Sequence, residues 1–135
     1  MRPFSDAEAV EVIRQGVPDV VAVYRFGSSV EGTTHPRSDV DLAFLALHPM
    51  GPVARFELQE RMASAFGQDI DLVDLRAAST VMQMQVVSKG VLLAEPDHAE
   101  KERFETYVFS AYARLNEERR AIVEQVLREG TVLGR

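Results

Sequence analysis

The chain has 135 residues and a formal net charge of −6, with 46% apolar and 27% charged residues. This length and composition predict one folded domain, residues 1–135, and exclude a disordered chain. The acidic balance argues against broad direct binding to nucleic acid or to an anionic membrane. Cysteine is absent, which excludes disulfides and thiolate zinc sites, and no apolar run is long enough to span a bilayer. We therefore expect a cytoplasmic protein.

The order of the predicted elements favours an α/β (α+β) fold. Capping-box patterns at Ser5 with Glu8 and at Asp97 with Glu100 predict two helix starts. Dense β-branched and apolar runs predict strands, and glycines after apolar stripes predict helix ends. In chain order we expect a helix from Ser5 to about Gly16, strands at 20–26 and 40–47, a helix at 53–66, a strand at 69–75, a helix at 77–88, a short strand at 91–93 and a long helix at 97–129. A core of about 20–95 would thus precede a long C-terminal helix.

The last predicted helix has two apolar stretches. Phe104 to Leu115 forms a regular stripe, which is more often core than a partner site. Apolar residues resume from Ile122 to Leu127, beyond a charged patch. The core of a domain this small does not easily bury the second stretch. Both a core role and a partner surface therefore stay open for it.

Two short motifs flank the loop between the first two predicted strands. Gly27 and Ser28 follow the first strand, where glycine allows close approach of a ligand and free N–H groups at a helix start attract phosphate. Asp39 and Asp41 stand two residues apart in the second strand, so their side chains point to the same face. Adjacent carboxylates repel each other unless a cation lies between them. Since Mg²⁺ prefers carboxylates, water and substrate phosphates, the pattern predicts metal-assisted phosphoryl or nucleotidyl transfer. A plain turn and a solvated strand edge are the structural alternatives.

The third predicted strand, DIDLVDL, offers three more carboxylates. Asp71 lies between Ile70 and Leu72, inside an apolar run where an unpaired carboxylate is energetically unfavourable. We predict it to be the third metal ligand and the activator of the attacking hydroxyl, with an exposed edge-strand acid as the alternative. Asp69 and Asp74 are predicted to be solvated.

The combined pattern resembles a known family. The Gly27-Ser28 pair, ten intervening residues, Asp39-Val40-Asp41 and the later IDLVDL strand are similar to the polymerase-beta-like nucleotidyltransferase superfamily. The apolar strand after Asp41 and the IDLVDL strand are also similar to the small bacterial members, called minimal nucleotidyltransferases. The resemblance implies that fold, with a small mixed sheet flanked by helices and a long C-terminal helix.

The resemblance also implies roles for the motif residues. Gly27 and Ser28 would bind the nucleotide phosphates, Asp39 and Asp41 would bind Mg²⁺ ions, two in number, and Asp71 would complete the metal site and the catalytic set. The family transfers a nucleoside monophosphate from a nucleoside triphosphate to a hydroxyl and releases pyrophosphate. These implications rest on the resemblance, as does the choice of ATP.

A partner is implied in the same way. Many minimal members are antitoxins of a HEPN-type ribonuclease toxin encoded nearby, which they neutralise by binding and by adding AMP to a toxin tyrosine. The expected function is therefore a Mg²⁺-dependent protein adenylyltransferase and antitoxin. The alternatives are an antitoxin that acts by binding alone and a nucleotidyltransferase for small molecules such as aminoglycosides.

Overall fold

The computed structural model describes residues 5–27 and 40–130 and confirms the predicted mixed fold with its long final helix. The sequence also predicts a short helix ending at Gly32 and a loop at 33–38, but residues 28–39, Ser28 and Asp39 among them, lie outside the described part of the chain. The described elements are α1 (Asp6–Gly16), β1 (Val20–Phe26), β2 (Val40–Ala46), α2 (Pro52–Phe66), β3 (Ile70–Asp74), a 3₁₀ helix (Leu75–Ala77), α3 (Thr80–Lys89), β4 (Val91–Ala94) and α4 (His98–Arg128).

The four strands form one mixed sheet in the order β3-β2-β1-β4. Strand β1 is antiparallel to both β2 and β4, whereas β2 and β3 are parallel and are joined through α2. The carboxyl end of β1 therefore lies beside the amino ends of β2 and β3. We call this side of the sheet the site edge.

The sheet has an apolar core on each face. Because side chains alternate along a strand, Val40, Leu42 and Phe44 of β2 lie on one face, while Ala43 and Leu45 lie on the other. Helices α1 and α2 cover the first face, and α3 and α4 cover the second. The result is a three-layer arrangement in which the central strands are buried on both sides.

The helix starts follow their capping residues. The Ser5 box is confirmed, since the Ser5 side chain accepts from the Glu8 backbone and the Glu8 side chain accepts from Ser5. The predicted start of the 77–88 helix is wrong, because α3 begins at Thr80 with Ser79 as its N-cap. The preceding residues form the 3₁₀ helix instead, with Asp74 as its cap.

The second predicted capping box forms only in part. Asp97 accepts a hydrogen bond from the Glu100 backbone, as expected. The Glu100 carboxylate, however, accepts from Arg76 and Arg103, so it makes an inter-element ion pair rather than closing the box. The Asp97 N–H donates to the carbonyl of Val21 and thereby fixes α4 to the start of β1.

Polar contacts hold the first half of α4 along β1. The Tyr24 hydroxyl donates to Glu105 at 2.9 Å, and burial raises the pKa of Tyr24 far above its usual range. The buried Lys101 ammonium contacts Glu102 at 2.8 Å and Glu105 at 3.3 Å, and the hydrogen bond to Glu102 raises the pKa of Lys101. Asp97 at the start of α4 contacts Val21, and Glu105, eight residues later, contacts Tyr24 nearer the end of β1. The helix therefore runs toward the site edge.

The second half of α4 extends past that edge. The helix has 31 residues, about 46 Å at 1.5 Å per residue, which is far longer than β1. Phe104 and Val108 are buried, but Ile122 and Leu127 are 61% and 74% exposed. The distal apolar stretch is therefore surface rather than core. Among the helices that the described residues form, none is both long and apolar enough to cross a membrane.

Candidate active site

The strand register brings two of the predicted acids together at the site edge. Asp41 pairs with Phe26 of β1 on one side and with Asp71 of β3 on the other. Neighbouring strands lie about 4.8 Å apart, and residues at paired positions point to the same face. Asp41 and Asp71 are therefore side-by-side carboxylates on the α3/α4 face of the sheet.

Gly27 lies directly against Asp41. Its φ of 82° is in the left-handed region, which favours glycine. A Cβ added here would collide with Oδ2 of Asp41, so only glycine leaves room for that carboxylate. Gly27 of the Gly27-Ser28 motif thus packs against Asp41.

The two acids differ in their surroundings. Asp41 is half-buried and has an interaction of its own, whereas Asp71 is exposed. Carboxylate oxygens are hard ligands suited to Mg²⁺, and two of them on adjacent strands fit such an ion with substrate oxygens completing the shell. The donor chemistry of the described site therefore fits the predicted metal.

The remaining predicted site residues lie outside the described part of the chain. These are Ser28 and Asp39, at the two ends of the segment 28–39. Within residues 5–27 and 40–130, no three His, Cys, Asp or Glu side chains form a group that could hold a metal ion. The described site is accordingly a pair of acids and a glycine turn.

Asp74 has a different role from the one expected. It is 3% exposed, and its carboxylate accepts hydrogen bonds from the backbone N–H of Met50 at 2.7 Å and of Arg76 at 3.1 Å. The prediction that it is solvated is wrong, because a tertiary contact with the segment after β2 buries it. Asp69 is exposed, as predicted.

A cavity that the sequence did not indicate lies on the outer side of β3. It has a volume of about 280 Å³ and includes Asp71 in its lining, together with Arg55 of α2. Nη1 of Arg55 donates to the Leu72 carbonyl at 2.9 Å, and the Leu72 N–H donates to Gln59 at 2.9 Å. These contacts cover the free edge of the sheet. A lone arginine in an amphipathic helix carries no pattern that would have identified it.

The fold and site define a class of protein that sequence comparison also finds. The family model described as polymerase beta, nucleotidyltransferase matches residues 8–99, which include the four described strands and the acids Asp41 and Asp71. The chain belongs to this nucleotidyltransferase family, and the predicted resemblance is confirmed.

Among individual relatives, the protein adenylyltransferase MntA of Shewanella oneidensis is 39% identical over 127 residues, covering 94% of this chain and 91% of the relative. A solved toxin–antitoxin complex with AMP-PNP contains a chain with 39% identity and a TM-score of 0.82, covering 92% of this chain and 99% of that one. A solved complex of a tri-AMPylated HEPN toxin of Shewanella oneidensis with an MNT antitoxin also contains a similar chain. That chain is 36% identical with a TM-score of 0.75, and the match covers 90% of this chain and 95% of that one.

Proposed function

We propose that this chain is the antitoxin of a HEPN-type ribonuclease toxin and acts on it as a protein adenylyltransferase. It transfers AMP from ATP to a tyrosine hydroxyl of the toxin and releases pyrophosphate. The observation that carries this proposal is the Asp41–Asp71 pair beside Gly27, in a chain 39% identical to a protein adenylyltransferase. The cytoplasm, where ATP and a ribonuclease's substrates occur together, is the proposed location.

Each motif residue has a role in this proposal. Gly27 and Ser28 bind the phosphates through backbone N–H groups and a hydroxyl. Asp39, Asp41 and Asp71 hold Mg²⁺, which when bound offsets the negative charge that develops on the phosphates. The chemistry of the two described acids supports this role, since both offer carboxylate oxygens at the site edge.

Asp71 has a second role in the proposed reaction. The acceptor oxygen forms a bond to the α-phosphorus of ATP while the bond to pyrophosphate breaks. Asp71 orients the acceptor hydroxyl and takes its proton. Its exposure makes it accessible to a macromolecular acceptor, whereas a fully buried acid would not be.

The distal half of α4 supplies the proposed docking surface for the toxin. Ile122, Val123 and Leu127 are exposed there, and the helix passes the site edge before it reaches them. A toxin bound on this half would lie on the same side of the sheet as Asp41 and Asp71. Replacing Ile122 and Leu127 by glutamate should weaken toxin binding about tenfold or more, because apolar burial is lost. Binding of ATP to the same variant serves as the control.

The test of the function is a reaction of the full chain with ATP, Mg²⁺ and the toxin encoded nearby. Intact-mass spectrometry should show toxin carrying added AMP, and chelation of the metal should abolish the adduct. The double variant Asp41→Asn/Asp71→Asn should yield none, whereas Glu60→Gln, an exposed acid of α2, should react normally. A full adduct from the double variant would defeat the catalytic proposal. Neutralisation of the toxin by that variant, without adduct, would favour an antitoxin that acts by binding alone.

A further inference from the structure

The cavity on the outer side of β3 is placed for a part of the substrate. Its lining includes Asp71, Val73, Ala77 and Ala78 together with Arg55. At about 280 Å³ it is smaller than the roughly 300–1,000 Å³ of pockets that enclose whole small molecules. It is open to solvent and has room for a side chain or a linking group.

Arg55 brings a positive charge to this cavity. Nη1 is used by the Leu72 carbonyl and by Gln59 at 3.2 Å. Within the described part of the chain, Nε and Nη2 make no hydrogen bond, and no carboxylate lies within ion-pair distance of the guanidinium. Asp71 shares the cavity without pairing with it. The planar fork of an arginine matches the oxygens of a carboxylate or a phosphate.

The order of the groups across the sheet decides which part of the substrate lies here. From β1 to the free edge of β3 the sequence is Gly27, Asp41, Asp71 and then the cavity. With two inter-strand spacings of about 4.8 Å each, Gly27 and the β3 edge are about 10 Å apart. In-line displacement requires the attacking oxygen to approach from the side opposite the leaving group. If the leaving pyrophosphate lies at Gly27, the acceptor enters from the β3 side.

We propose that this cavity is the acceptor subsite and that Arg55 binds an anionic group next to the acceptor hydroxyl. The inference rests on the proposed function and names a specificity-determining residue for it. The small residues Ala77 and Ala78 and the apolar Val73 leave space for the acceptor side chain. The oxygen attacks the α-phosphorus, its proton passes to Asp71, and the electrons of the broken P–O bond leave with pyrophosphate.

Two sources could supply the anionic group. One is a carboxylate of the toxin beside its acceptor residue. The other is the phosphodiester of an AMP that has already been attached, since a ribose hydroxyl of that AMP can accept the next one. The toxin in one relative's complex is tri-AMPylated, so a toxin of this kind can carry more than one AMP.

The experiment measures AMP transfer with the full chain, ATP, Mg²⁺ and the nearby-encoded toxin, resolving singly and multiply modified toxin by intact mass. Arg55→Gln should raise the KM for the acceptor about tenfold, the factor for losing one charge-assisted hydrogen bond, and should leave the KM for ATP unchanged. Ala78→Leu, which narrows the cavity, should act in the same direction. Arg61→Gln removes an exposed charge from the same helix outside the cavity and is the matched control.

The pattern of products separates the two sources. A higher KM for the unmodified toxin identifies a toxin carboxylate, whereas an unchanged first transfer with slower second and third transfers identifies the phosphodiester. Unchanged kinetics at every step, or a higher KM for ATP alone, would overturn the acceptor subsite. Failure of the unsubstituted chain to transfer any AMP would instead refute the proposed function, and the subsite with it.

Discussion

Strand β3 carries an aspartate near each end, and the two have opposite surroundings. Asp71 is exposed at the site edge and lies beside Asp41 of the parallel neighbour. Asp74 is 3% exposed and has both oxygens occupied by backbone N–H groups. A buried carboxylate must be hydrogen-bonded to be tolerated, whereas an exposed one beside another acid gains by binding a cation. The same residue type thus stabilises the fold at one end and is available for chemistry at the other.

The largest expected effect comes from the acid next to Asp71. Asp41→Asn removes a proposed metal ligand with little change of shape, and should lower kcat for AMP transfer about a hundredfold or more, since metal stabilisation of the transition state is worth several kcal/mol. Steady-state kinetics of AMP transfer to the toxin provide the measurement. An activity within a few-fold of the unsubstituted chain would remove Asp41 from the catalytic set.

Asp74 should show the opposite response. Asp74→Asn leaves one of two backbone N–H groups without an acceptor and should lower the free energy of unfolding by about 1.5–3 kcal/mol, the range for hydrogen bonds to charged groups. Urea unfolding followed by circular dichroism measures this loss. An unchanged midpoint, together with lost activity, would reverse the roles assigned to the two ends of β3.

Gly27 connects stability and chemistry at one residue. Gly27→Ala places a Cβ against Asp41 at a positive φ, so it should cost about 1–2 kcal/mol of stability and also displace the carboxylate, lowering kcat about tenfold. Gly67, with a φ of 64° at the end of α2, is the matched control for backbone strain. Gly67→Ala should lose stability but retain its rate per folded molecule. Equal rate losses in both variants would show that strain alone, and not Asp41, is responsible.

The smallest expected effect is on the protein without metal. Like charges at paired strand positions destabilise a sheet by about 0.2–1 kcal/mol, so Asp41→Asn should raise the Tm slightly in metal-free buffer. Added Mg²⁺ should raise the Tm of the unsubstituted chain more than that of the variant, since binding stabilises the folded state. A lower Tm for the variant in metal-free buffer would indicate that Asp41 is structurally paired.

The part of the site that the sequence predicted depends on local patterns. The prediction for Asp71 rests on its position inside an apolar run, and the strand at 20–26 is predicted by its β-branched residues. The sequence pattern predicts a common site for Asp41 and Gly27, and the strand register places them in contact. The catalytic roles of these residues stay predictions.

The part that could not be predicted depends on distant contacts. Asp74 is buried by the N–H of Met50, 24 residues earlier, and Arg55 binds a carbonyl 17 residues later. Neither contact can be predicted from the pattern of apolar and polar residues in its own segment. The predicted start of α3 is wrong for a related reason. Asp74 and Ser79 are both good caps, and only tertiary structure assigns one to the 3₁₀ helix and the other to α3.

The most direct test of the account compares the two acids of β3 in one assay. The measurement is the initial rate of AMP transfer to the toxin by Asp71→Asn and by Asp74→Asn, each divided by its folded fraction at a temperature where both remain mostly folded. The account predicts that Asp71→Asn is about a hundredfold or more slower, because it removes both a metal ligand and the proton acceptor. Equal rates, or a slower Asp74→Asn, would contradict the assignment of chemistry to the site edge.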